Sequence, residues 1–80
     1  MKSVKLYYYA VLREYAGISH ETRQTGATTF RELYEELSAV YKFPLDASRV
    51  RVAVSESYAG MDQLVDDGAE ITFIPPVAGG

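Results

Sequence analysis

Apolar and polar residues alternate with a period of two at three places along the chain. In the first, Val4, Leu6, Tyr8 and Ala10 fall on one face and Lys5, Tyr7 and Tyr9 on the other, the mark of a strand buried on one side. In the second, Val50, Val52 and Val54 alternate with Arg51, Ala53 and Ser55. In the third, Ile71 and Phe73 alternate with Thr72 and Ile74. Between the first two the period changes. Phe30, Leu33, Tyr34, Leu37, Val40 and Tyr41 recur at helical spacing, which predicts an amphipathic helix over about 30–42. Thr29 and Glu32 form a capping-box pair at its start, and Pro44 closes it off.

Shorter signals fill the gaps. Val11 to Ala16 predicts a brief helical turn closed by Gly17, with Val11, Leu12 and Tyr15 turned inward. Glu21 to Thr25 reads as a polar second strand, Tyr58-Ala59 as a short one, and Asp67-Gly68 as a turn. The order is strand, short helix, strand, helix, and three further strands. This predicts an α+β domain, a mixed sheet covered by one main helix. A first hairpin, one covering helix and a final strand that runs into a tail describe a β-grasp, or ubiquitin-like, fold.

The tail after the last strand has its own chemistry. Pro75 and Pro76 each fix φ and lack an N–H, so pairing is expected to stop there and the chain to project as polyproline II. Residues 1–74 are thus read as the folded domain and 75–80 as a flexible tail. Those six residues reach roughly 20 Å when extended. Gly79 and Gly80 let backbone enter a channel too narrow for a Cβ. Read as a free terminus, Gly80 offers a carboxylate that a nucleotide can activate and that can then carry a group as an acyl derivative.

Composition narrows the choice of function. The chain has 80 residues, enough for one domain with a thin core. It contains no cysteine, so thiolate chemistry of its own is excluded and any sulfur must be borrowed. A net charge of −3 argues against a nucleic-acid partner. No apolar run is long enough for a signal peptide or a bilayer span, so a cytoplasmic setting is expected. His20 reads as a solvated side chain in a polar loop. Asp66, Asp67 and Glu70 read as turn chemistry rather than metal ligands, so no metal or bound cofactor is expected.

Tyr9-Ala10-Val11-Leu12-Arg13-Glu14, Val52-Ala53-Val54, and the run from Asp67 to Gly80 ending Phe-Ile-Pro-Pro-Val-Ala-Gly-Gly together resemble the small subunit of molybdopterin synthase, over essentially the whole chain. The resemblance implies a mechanism. An E1-like adenylyltransferase activates Gly80, a sulfur donor enzyme converts it to a thiocarboxylate, and the tail enters the large synthase subunit to give sulfur to cyclic pyranopterin monophosphate. It implies a heterotetramer of two small and two large subunits, and a chain that is not catalytic alone. Gly79 becomes a steric requirement, and Pro75, Pro76, Val77 and Ala78 the segment inserted into the partner. Tyr9, Arg13, Tyr58 and Ile74 become the partner interface. Two departures from the family pattern stand out: Ser55 where Asn is frequent and Leu64 where Pro is frequent. The same terminus also suits a modifier joined to lysines, or a sulfur carrier for thiamin or tRNA thiolation.

Overall fold

A computed structural model describes residues 1–76. Strand β1 (Lys2–Tyr8) pairs antiparallel with β2 (His20–Thr25), with Leu6 opposite Glu21 and Tyr7 opposite His20. On its other side β1 lies parallel to β5 (Glu70–Ile74), which sets Leu6 beside Ile71. β5 in turn runs antiparallel to β3 (Arg51–Val54), and β3 forms a hairpin with β4 (Ser57–Ala59). The five-stranded order is β2-β1-β5-β3-β4. The last described strand is thus the central one, and Pro75 and Pro76 follow it from the middle of the sheet.

Helix α2 (Phe30–Tyr41) covers one face. Its buried row, Phe30, Leu33, Tyr34 and Leu37, meets Val4, Leu6 and Tyr8 of β1, Val52 of β3, and Ile71 and Phe73 of β5 in a single core. Tyr34 meets Phe73 edge-on at 5.3 Å between ring centres. At its N-terminus, Thr29 Oγ1 accepts from the Glu32 N–H at 3.2 Å. The Glu32 carboxylate reaches back one residue further than the usual box and accepts from the Thr28 N–H at 2.9 Å.

Four expectations need correction. β1 stops at Tyr8 rather than running through Ala10, because Ala10 takes φ +51° and swings the chain out of the sheet into α1 (Ala10–Ala16). Tyr15 stands exposed, leaving Leu12 as the buried anchor of that short helix. Val40 is exposed as well. The row Phe30, Tyr34, Leu37 continues at Tyr41, whose hydroxyl is held at 2.6 Å by Glu21, and Val40 falls to one side of it. His20 belongs to β2, not to a loop, and its ring lies 6.2 Å from that of Tyr7.

The polar strand β2 is explained by what its side chains reach. Glu21 Oε2 accepts from both Tyr8 and Tyr41 hydroxyls, each at 2.6 Å. Glu36 of α2 accepts from Arg23 Nε and Thr25 Oγ1, both at 2.8 Å. This edge strand is tied to the helix by carboxylates instead of apolar packing.

Burial, with the Asp46 charge nearby, pushes the Tyr34 phenol up to about 12. Burial and then the Glu21 carboxylate raise Tyr8, and the same two causes raise Tyr41. A phenol is neutral when protonated, and these are raised in the folded state. Their contribution is fully present below the ordinary tyrosine value and is lost as pH climbs through the folded one. Stability is therefore expected to hold through neutral pH and to fall once pH passes about 10. Denaturant melts followed by circular dichroism across that range check this.

The β3–β4 hairpin turns on Ser55 and Glu56, both with positive φ (+49° and +71°). A two-residue turn with two positive φ values favours Asn-Gly, and here neither residue is Asn or Gly. Asn tolerates such a φ better than Ser does at position 55. Ser55→Asn combined with Glu56→Gly is expected to stabilise the domain by about 1 kcal/mol, or roughly 4–8 °C in Tm. An unchanged or lower Tm would contradict that reading of the turn.

Candidate functional site

β5 brings the chain to the site and Pro75 releases it. Ile74 makes the last cross-strand pair, with Arg51, and the missing N–H of Pro75 prevents another. A residue before proline stays extended, so Ile74 keeps its strand direction as the chain leaves. Pro75 is half-buried and Pro76 exposed.

At this exit the sheet has an uncovered face. Residues that alternate with the core positions line up across it: His20 beside Tyr7, Tyr7 beside Thr72, Thr72 beside Ala53, and Ala53 beside Tyr58. A groove of about 510 Å³ lies at its tail end, lined by Arg49, Arg51, Tyr58, Ile74, Pro75 and Pro76 together with Ser48 and Val50. Tyr58 is 72 % exposed, although a tyrosine ring is a large apolar body that water solvates poorly.

The proposed interface residues do not form one cluster. Tyr58 and Ile74 both line the groove at the root of the tail. Tyr9, 56 % exposed, lines a separate depression of about 400 Å³ with Tyr7, Ser55, Glu56, Glu70 and Thr72. Arg13 lies in a third, beside Ala10, Glu14, Gly17 and Ile18 between α1 and β2. Tyr7 and Thr72 join the second depression to the open face, while Arg13 stands apart from both. Val77, Ala78, Gly79 and Gly80 lie outside the described residues.

Arg49 and Arg51 were not singled out by the sequence. Alternation with Val50 and Val52 puts Arg51 on the open face, which was the available signal. Arg49 ends the 3-10 turn Ala47–Arg49, and no pattern in the sequence points to it. The acidic residues near the other end of β5 serve the turn. Asp67 accepts from the Ser3 N–H at 2.7 Å, and the Gly68 N–H donates to the Ser3 carbonyl at 2.7 Å. Among the described residues no helix is long and apolar enough to cross a membrane.

A model of the ThiS family matches residues 6–80. The chain belongs to the ThiS family. Within reach of this family it is 26 % identical to the molybdopterin synthase sulfur carrier subunit of Escherichia coli, over 96 % of this chain and 99 % of that protein. The fold is shared with the small archaeal modifier protein 1 of Haloferax volcanii, at 17 % identity, a TM-score of 0.78, and coverage of 96 % and 100 %. It is shared also with a chain of the complex of subunits 1 and 2 of the molybdopterin-converting factor from Helicobacter pylori, at 19 % identity, a TM-score of 0.64, and coverage of 98 % and 99 %. The architecture of this ThiS-family chain is therefore the ubiquitin-like β-grasp.

Proposed function

We propose that this chain is a sulfur carrier for molybdopterin synthase, with Gly80 as the loaded residue. The observation that carries the proposal is the near full-length likeness to the sulfur carrier subunit, in a chain whose central strand delivers a Pro-Pro-Val-Ala-Gly-Gly tail beside an uncovered groove. A carboxylate is a poor electrophile because of its charge. An E1-like enzyme joins a carboxylate oxygen to the α-phosphorus of ATP, and pyrophosphate leaves. The terminal sulfur of a donor enzyme's persulfide then attacks the acyl carbon, and AMP departs with the bonding electrons. A thiol of the donor system cleaves the resulting acyl disulfide, leaving a thiocarboxylate on Gly80 and a disulfide on the donor side.

The loaded tail, residues 75–80, enters the large subunit and its sulfur attacks a carbon of cyclic pyranopterin monophosphate, displacing an oxygen. Water then cleaves the resulting thioester, leaving the sulfur on the substrate and restoring the Gly80 carboxylate. Two transfers complete the dithiolene. The domain supplies recognition and reach. The described residues place no acid–base pair at the tail root, so the large subunit is assigned the proton transfers and the cationic groups. Tyr58 and Ile74 are the apolar contacts at the mouth of that channel, with Tyr9 further along the same face.

The second reading, a modifier whose Gly80 is joined to lysines, uses the same acyl adenylate and the same fold. Reconstitution separates the two. Loaded carrier mixed with the large subunit and cyclic pyranopterin monophosphate is expected to yield molybdopterin. Lysine adducts in cells, with no dithiolene formed in the reconstituted mixture, would favour the modifier.

A further inference from the structure

Charge is distributed unevenly along β5. Glu70 begins the strand, and with Glu56 it lines the depression that holds Tyr9. Ile74 ends it, and there the groove walls carry two guanidinium groups, Arg49 and Arg51. Four residues of strand separate these ends by about 13 Å. The chain as a whole is acidic, with 11 Asp and Glu against 8 Lys and Arg, so a cationic pair beside the tail is a local reversal of its charge.

Both arginines are exposed, and among the described residues neither takes part in an ion pair. Asp46, which caps the 3-10 turn ahead of them, has its carboxylate on the N–H and hydroxyl of Ser48; the Arg49 charge also helps hold that carboxyl below its ordinary value, but the two side chains form no ion pair. Pro75 and Pro76 are walls of the same groove. Four residues carry the chain from Pro76 to Gly80, about 14 Å at full extension. A protein that encloses the tail as far as Pro76 closes over the groove and removes water from both guanidiniums. Unpaired, that desolvation opposes docking; matched by carboxylates, it favours it and speeds encounter.

We infer that Arg49 and Arg51 form a cationic collar at the root of the tail that docks onto carboxylate side chains at the channel mouth of the activating adenylyltransferase, and that the acidic end of β5 sets the direction of approach. This rests on the proposed activation of Gly80. The collar positions the tail and touches no reacting atom.

The test is ATP–pyrophosphate exchange by the cognate E1-like adenylyltransferase, with the full-length chain as varied substrate. Arg49→Glu combined with Arg51→Glu is expected to raise KM by at least about tenfold with kcat within about twofold. Added NaCl should raise the wild-type KM and lower that of the double variant, whose glutamates repel the same carboxylates. Lys42→Glu, at the C-cap of α2, makes the same charge change as Arg51→Glu on its own and should leave KM near wild type. Circular dichroism confirms that each variant is folded. Exchange with wild type that the reversals and salt leave unchanged, or an equal effect from Lys42→Glu, overturns the collar alone. No exchange with wild type overturns the activation reading and the collar with it.

Discussion

Removing Gly80, or adding one alanine after it, is expected to abolish sulfur loading while leaving the thermal transition unchanged. The two halves of that expectation have separate causes. Among the described residues every buried core residue lies between Val4 and Phe73 and the last cross-strand pair is made by Ile74, so the described core is complete before the final residue. Chemistry has every stake in it. One added residue moves the terminal carboxylate by up to about 3.5 Å, and a displacement of only about 1 Å at a reacting centre can cost 10²-fold. The loss should therefore exceed about a hundredfold, read as ATP–pyrophosphate exchange beside a melt of the same sample. Exchange retained at near wild-type rate by either variant would mean that the carboxylate of Gly80 is not the acceptor.

Phe73→Ala is expected to have the largest effect on stability, about 3–5 kcal/mol. Phe73 is fully buried at the centre of the sheet, paired with Val52 on one side and Tyr8 on the other, with the Tyr34 ring edge-on to it at 5.3 Å between centres. Domains of this size have only about 5–15 kcal/mol in total, so much of the margin would go and Tm should fall by well over 10 °C at roughly 4–8 °C per kcal/mol. Ile74→Ala, one residue on, is expected to behave in the opposite way. Its side chain is half-buried on the open face and lines the groove, so the fold should persist while docking weakens. Urea melts of the two variants check the contrast; equal destabilisation would show that Ile74 belongs to the core.

Much of the fold was legible because burial on one side imposes a period. The alternations at Val4–Tyr8, Val50–Val54 and Ile71–Ile74 give three strands, and the recurrence from Phe30 to Leu37 gives the helix that covers them. What a period cannot supply is the neighbour. Nothing in the spacing of Leu6 and Ile71 says that their strands run parallel side by side, and that pairing is what puts the strand leading to Pro75 at the centre of the sheet. Positive φ at Ala10, Ser55 and Glu56 was hidden for a different reason, since none of these is the glycine or asparagine that usually marks such a backbone.

The site was legible in part for the same reason. Alternation puts Ile74 on the open face, but a face is broad, and Tyr9 and Arg13 turn out to occupy depressions separate from that of Tyr58 and Ile74. Arg49 and Arg51 gained their place only when the register set Arg51 opposite Ile74 at the tail root.

The central claim is that Gly80 carries sulfur as a thiocarboxylate, and intact-mass spectrometry of the chain after incubation with the cognate adenylyltransferase, ATP and a sulfur donor tests it most directly. The expected result is a single replacement of oxygen by sulfur, mapped by fragmentation to the carbonyl of Gly80. An unchanged terminus under conditions in which the same enzymes load another carrier, or sulfur found on any other residue, would contradict it.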